Sequence, residues 1–389
     1  MDRRSRRDLR PVWAEVDLGA IHHNASALSA VASPASLCAV VKADGYGHGA
    51  NRVARAALAG GASWLAVALV EEGVALREDG IDAPILVLSE PTEDAMETVV
   101  EHRLTPTLYS PRGVRASSLA VKRMGGHRRL GVHIKVDTGM HRVGATADDA
   151  VALATAVACD PSLRLEGLST HFAVADRVAD PFTDLQLRRF DAVIEKMAAK
   201  DLRPELLHAA NSAGTLWHPQ SRYSMVRCGI ALYGLSPDPA AEAICDLRPA
   251  LSLRARVSFA KTLGAGESLS YGLRYHLERD SVIATVPIGY ADGVPRNLSA
   301  SGGEVLIRGC RRPIAGTVTM DQILVDCGDE WSVCPGDEVV LIGEQGGEYV
   351  GADEWAYKVG TISYEVVCAL SARVPRRYIS APPETRGAE

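Results

Sequence analysis

The chain has 389 residues, enough for two domains at roughly 100–200 residues each. Lys and Arg number 42 against 48 Asp and Glu, a net charge of −6, which argues against a general nucleic-acid binder with its required basic face. With 47% hydrophobic residues, a mean hydropathy near zero and no apolar run long enough to span a bilayer, the composition reads as globular rather than membrane-embedded.

The first ten residues, MDRRSRRDLR, carry five Arg and two Asp with no apolar stretch after them, so they read as a solvated tail and not as a secretory signal. From Val12 to about Leu235, short apolar, β-rich runs alternate with helical segments. Strands are predicted at 37–42, 64–68, 85–88, 105–108, 132–137, 164–168, 205–208 and 224–228. Between them, Ala50, Val53, Ala54, Ala57 and Leu58 share one helical face. Leu187, Phe190, Ile194 and Met197 share another, with Thr183 or Asp184 as the expected cap. Eight strand–helix alternations predict a (β/α)8 TIM-like barrel over residues 12–245. A doubly wound open sheet is the alternative, but no Gly-x-Gly-x-x-Gly turn follows the first strand.

Beyond residue 246 the pattern changes. Strand-like runs at 251–260, 268–271, 281–288, 305–308, 314–318, 323–326 and 338–342 are separated by Gly and Pro turn signals, with a helix near 353–358. A C-terminal, mostly β-strand domain over 246–389 is expected, with residues 1–11 a tail or packed on it. The fold class is therefore α/β plus β. The eight cysteines form no Cys-x-x-Cys pair and read as reduced thiols of a cytoplasmic protein.

In such barrels the active site lies at the C-terminal ends of the strands. Polar residues recur there. Lys42 ends an apolar run and enters KADGYGHG, Lys135 and Asp137 lead to Arg142, His171 follows the sixth strand, Asn211-Ser212 the seventh, and Arg227 the eighth. A desolvated lysine has a lowered pKa and serves as nucleophile or base. The bland reading is a snorkelling lysine at a strand end. Asn211, Ser212 and the Gly229-Ile230 amides stand where these barrels commonly bind phosphate, although helix capping explains Asn211-Ser212 equally. His133, Lys135 and Asp137 share one strand face by period two. A lysine inside a barrel needs an acid partner, such as Asp137, or conversion to a carbamate.

The motifs AVVKADGYGHG, KVDTGMHRVG, THFA, HAANSAG, RCGIALYG, SYG, IGYADG, GTVTMDQ and GTISYE follow one another along nearly the whole chain. In this order the chain resembles the alanine racemases, fold-type III enzymes that use pyridoxal 5′-phosphate (PLP) and interconvert L- and D-alanine. The resemblance implies that Lys42 holds PLP and is one catalytic base. Tyr271 is then the opposite base, given by the partner subunit of a homodimer. Tyr46, Asn211, Ser212, Gly229, Ile230 and Tyr364 are implied around the phosphate, Arg227 at the ring nitrogen, and His171 against the ring or Tyr271. Arg142 is implied at the substrate carboxylate, held by a carbamylated Lys135. Met320, Tyr290 and Asp321 are implied at the substrate rim. No metal is implied, and neither nucleic acid nor membrane is an expected partner. Asp44-Gly45 departs from the more usual Asn-Ala.

Four other readings compete. A serine or broad-specificity racemase of the same build differs only in pocket volume. A PLP-dependent decarboxylase would place an acid where Arg227 stands. A non-catalytic PLP-binding protein would need the barrel alone. A metal hydrolase would use Lys135, His171 and His208, but the first strand lacks His-x-His.

Overall fold

Runs that are apolar on both faces suit parallel strands covered on both sides. Eight of them form such a sheet: β2 (Ser36–Val40), β3 (Trp64–Val67), β4 (Ile85–Val87), β5 (Thr105–Leu108), β6 (Leu130–Lys135), β7 (Leu163–Ser169), β8 (Leu206–His208) and β9 (Met225–Cys228). The computed structural model describes residues 9–125, 128–241 and 243–380. Each strand pairs in parallel with its sequence neighbour from β2 to β8, and β9 returns to pair with β2. The last seam, β8 to β9, is bridged by Ser224 N to Leu207 O (3.1 Å) and Arg227 N to Ala210 O (3.0 Å), so the barrel is nearly closed.

The helices between strands bury most of the faces their spacing predicts, with Ala50, Leu58 and Ile194 only half-buried. Ala50–Ala59 buries Val53, Ala54, Ala56 and Ala57, and Phe182–Ala198 buries Leu187, Phe190, Val193 and Met197. The expected cap at Thr183 or Asp184 is not there. This helix opens two or three residues earlier, after Pro181, and Thr183 is buried within it.

The remaining strands form a separate unit. β10 (Leu251–Arg256), β11 (Phe259–Leu263), β14 (Ser281–Val286), β15 (Glu304–Ile307), β16 (Cys310–Ala315), β17 (Ile323–Asp326) and β18 (Glu338–Gln345) lie in one mostly antiparallel sheet. A hairpin of β12 (Ser268–Leu269) and β13 (Tyr275–His276) stands apart, and β19 (Glu348–Val350) pairs with β18. The predicted strand at 251–260 is two strands, β10 and β11. The helices Ala352–Val359 and Ser363–Cys368 complete the unit.

A third assignment changes as well. Val12, expected to open the barrel, begins β1 (Val12–Asp17), which pairs antiparallel with β10 and parallel with β20 (Arg376–Ile379). The two compact units are residues 19–45 with 49–249, and residues 9–18 with Tyr46–His48 and 250–380. A strand that opens the chain finds its partners only after folding, so its neighbours in sequence do not reveal its sheet. Among the described residues, no helix is long and apolar enough to cross a membrane.

Candidate active site

The barrel interior holds an unusual polar line. Parallel pairing sets His133 of β6 beside Gly167 of β7, and Ser169 of β7 beside His208 of β8. Because Gly167 carries no side chain, the His133 ring lies across β7 and its Nδ1 reaches His208 Nε2 at 2.8 Å. A Cβ at Gly167 would meet ring atoms of His133 at 2.6 Å. His208 Nδ1 in turn receives Arg227 Nη1 of β9 at 2.7 Å.

Arg227 is 6% exposed and heavily tied. Nη1 also donates to His208 O, and Nη2 to Thr170 O, Ala209 O and His171 Nδ1, at 2.8–3.1 Å. The guanidinium keeps its protons at neutral pH, although burial pushes it down to about 10. Direction follows. His208 Nδ1 and His171 Nδ1 must be acceptors, so both rings carry hydrogen on Nε2, and His208 donates to His133. Burial first, and the nearby Arg227 charge second, hold His171 and His208 well below the ordinary histidine range. The same causes bring His133 down to about 3. All three are neutral at pH 7. Both nitrogens of His208 are engaged, which leaves no lone pair for the metal-hydrolase alternative. Among the described residues, Arg227 Nε–H donates to no protein group. Its one uncommitted donor suits an acceptor atom of a bound ring.

Lys42 follows β2 at the barrel's C-terminal end. The next four residues are all left-handed: Ala43 (φ 53°), Asp44 (φ 51°), Gly45 (φ 61°) and Tyr46 (φ 51°). Such residues cost roughly 1–2 kcal/mol each unless they are Gly or, less often, Asp. The Asp44-Gly45 pair therefore suits this turn. Glu72 holds it: Oε1 accepts Ala43 N at 2.6 Å, while Oε2 accepts Ala68 N and Leu69 N. Asp44 Oδ1 accepts Ala50 N at 2.9 Å.

Lys135, Arg142 and His171 line one small void past β6 and β7. Lys135 is pushed down to about 8, by burial first and then by Arg227, Arg142 and Lys42. The ion pair with Asp137 that spacing allowed does not form. The Asp137 carboxylate is taken by its own turn, accepting Gly139 N, His141 N and His141 Nδ1. Asn211 accepts Gly214 N and caps Ser212–Trp217, as the capping reading expects. Ser212 Oγ accepts Gly229 N (3.1 Å) and Ala231 N (3.3 Å), which gathers the Gly229-Ile230 segment against the helix start.

The β unit gathers the other candidates. Gly289 permits two segments of the chain to touch, since a Cβ there would meet Thr319 O at 2.2 Å and Met320 O at 2.4 Å. Tyr290 N bonds Thr319 O, and Ala291 N bonds Met320 O. Tyr271, Tyr290, Met320 and Asp321 thereby line one open groove of ≈ 560 Å³. Tyr271 is 74% exposed, yet its backbone is pinned: Thr317 Oγ1 donates to Tyr271 O, and Ser270 Oγ to Thr317 O. Asp321, expected at the rim, pairs with Arg373 at 2.6 Å. Tyr46 and Tyr364 stand with ring centroids 6.2 Å apart. The basic start is not wholly a solvated tail. Arg10 makes a two-pronged pair with the buried Asp292, which also binds Arg373. Residues 1–8 lie outside the described residues.

Residues 16–237 match the family model "Alanine racemase, N-terminal domain", and residues 250–378 match "Alanine racemase, C-terminal domain". The chain belongs to the alanine racemase family. It is 49% identical over 370 residues to the alanine racemase of Symbiobacterium thermophilum, covering 95% of this chain and 97% of that one. It is 43% identical to that of Desulfovibrio desulfuricans, covering 95% and 98%. The solved alanine racemase of Streptomyces coelicolor matches with a TM-score of 0.90 at 38% identity, over 96% and 99% of the two chains. Family members are isomerases. Sequence reasoning missed Glu72, Gly167 and the Arg10–Asp292 pair. None of the three carried a clear local signal: a helix-start box needs an oxygen-bearing side chain three residues before Glu72, and Leu69 stands there.

Proposed function

We propose that this enzyme is a PLP-dependent alanine racemase that works in the cytoplasm as a homodimer with shared active sites. The observation that carries the reading is Arg227, fixed on five sides by neutral histidines and carbonyls with Nε–H still to give. That donor set fits a pyridine nitrogen. PLP, when bound, supplies an electron sink for the charge left on the substrate Cα as its proton departs.

Racemisation needs a proton taken from one face of Cα and one returned to the other, so two bases are required. Lys42 holds the cofactor and serves one face. Tyr271 of the partner subunit serves the other. Arg227 donates a hydrogen bond but does not surrender its proton. With His171 Nδ1 occupied by Arg227, its Nε2–H is the free donor, able to stabilise the phenolate of Tyr271 of the partner subunit. Arg142 meets the substrate carboxylate, and Lys135, its charge weakened by burial, is the amine that takes up carbon dioxide as a carbamate. Asn211, Ser212, Gly229 and Ile230 hold the phosphate, and Tyr46 and Tyr364 keep the phosphate role their motifs imply. Met320, Tyr290 and Asp321 keep their rim roles, and the exposure of Met320 (52%) and Tyr290 (41%) suits a surface that meets another subunit.

Co-expressing Lys42→Ala with Tyr271→Phe tests base identity and sharing together. Statistical mixing gives half mixed dimers with one intact site each, hence about a quarter of wild-type alanine racemisation. No recovery above the single variants would overturn the shared-site reading. Equal or faster turnover of L-serine would favour the broader-specificity alternative.

A further inference from the structure

The end of the barrel opposite Lys42 has its own groove, of ≈ 550 Å³, built from the N-terminal ends of β3 to β7. That volume lies in the range of small-molecule sites, about 300–1,000 Å³. Five arginines line it, Arg77, Arg103, Arg128, Arg129 and Arg164, against two acids, Asp82 and Glu166.

Not all of that charge is available. Arg77 is structural: it ties His102 O, Ile81 O, Ala83 O and Arg103 O at 2.5–3.0 Å. Arg164 is matched by Glu166 and Glu205. Among the described residues Arg103 pairs only with Asp82, at 3.2 Å, and both side chains are largely in water, where such a pair contributes little. Among the described residues, Arg128 and Arg129 have no acidic partner, although Arg129 Nε donates to Leu163 O. Three guanidinium groups therefore converge on one concavity with their planar forks uncommitted or weakly committed. Such forks match phosphate and carboxylate oxygens in pairs. Trp64, Pro84 and Leu104 give the groove an apolar wall.

We propose that this groove is a second ligand site, separate from the PLP site, for a small molecule bearing two or more anionic groups. Arg103, Arg128 and Arg129 bind the charges, and Trp64 covers the body of the ligand. The site does not depend on the racemase reading.

The test uses full-length, PLP-loaded enzyme at fixed ionic strength. Inorganic pyrophosphate and citrate are titrated separately, by calorimetry and by tryptophan emission, while PLP absorbance is monitored for displacement. Saturable binding with Kd below about 1 mM is expected for at least one probe. Pyrophosphate alone would assign phosphates, citrate alone carboxylates, and both the shared anionic chemistry. The double variant Arg103→Gln/Arg128→Gln should raise that Kd at least about tenfold and leave alanine turnover without anion unchanged. Trp64→Phe should abolish the emission change while calorimetric binding persists. Three results would overturn the proposal: no saturation by either probe, an unchanged Kd in the double variant, or an emission change that survives Trp64→Phe.

Discussion

Gly167→Ala puts one methyl group where the His133 ring already lies. The nearest ring atoms would stand 2.6–2.7 Å from the new carbon, well inside ordinary van der Waals contact. His133 cannot simply retreat. It is fully buried, and the Nδ1 that faces Gly167 is the atom bonded to His208. Overpacking a tight core costs about 1–3 kcal/mol, and weakening the His133–His208 bond adds about 0.5–1.5, so a loss of about 2–4 kcal/mol is expected. The displacement also reaches Arg227 through His208, so the variant should retain PLP less tightly. Urea unfolding of the PLP-loaded enzyme measures the first effect. Gly264→Ala is the control, since its nearest neighbour is Asp280 Oδ1 at 3.8 Å, and it should stay within about 0.5 kcal/mol of wild type. His133→Ala should make room for the methyl, so the double variant should be less destabilised than the sum of the singles, by about 0.5–3 kcal/mol. A Gly167→Ala protein within about 0.5 kcal/mol of wild type, or strict additivity in the double variant, would refute the reasoning.

Four further outcomes are expected. Glu72→Ala removes charge-assisted acceptors from Ala43, Ala68 and Leu69. At about 1.5–3 kcal/mol for bonds to a charged group, it should lower thermal stability and loosen PLP retention together, and unchanged retention would contradict a role in setting the Lys42 turn. Above their ordinary pKa of 6.5, His133 and His208 are neutral folded or unfolded. As pH falls toward 3 the unfolded chain takes up protons the fold refuses, and stability drops by up to about 1.4 kcal/mol per pH unit for each histidine. His133→Asn should flatten that slope in urea midpoints measured from pH 7 to 4. Lys135, with its pKa lowered to about 8, imposes the cost of a buried ammonium below pH 8, a cost relieved as pH rises toward 10.5. In carbon dioxide-free buffer, Lys135→Met should therefore raise stability most below pH 8, while 13C-bicarbonate should give wild type a carbamate resonance that the variant lacks. Arg10→Ala leaves the buried Asp292 with Arg373 as its one charged partner among the described residues, beside the Gly289 N–H, and should cost about 1–3 kcal/mol, read by thermal unfolding.

Much of the architecture was legible because its signals are local. A buried parallel strand is a short apolar run between turn residues, and each of the eight runs became a barrel strand with ends moved by a few residues. Lys42 and Arg227 could be singled out because a charge at the end of an apolar run needs a reason. The β unit was harder. Its strand ends at 260 and 271 were misplaced, and Val12–Asp17 was given to the wrong unit, because pairing partners hundreds of residues away leave no mark on a six-residue stretch. The choice for residues 1–11 between a tail and packing on the β unit stayed open for a like reason: the acid partner of Arg10, Asp292, lies 282 residues further on.

The sequence by itself determined the two-part plan, the family and the residue types at the ends of the barrel strands, since composition, periodicity and motif spacing are properties of neighbouring residues. Only the tertiary structure decided how those residues act. Closing the barrel brings His133 over Gly167 to His208 and His208 to Arg227. That sequence of hydrogen bonds sets the tautomers and leaves one N–H of Arg227 to give. Hydrogen-bond direction depends on which strand ends face one another across a closed sheet, and that is a property of register and closure rather than of any local stretch of chain.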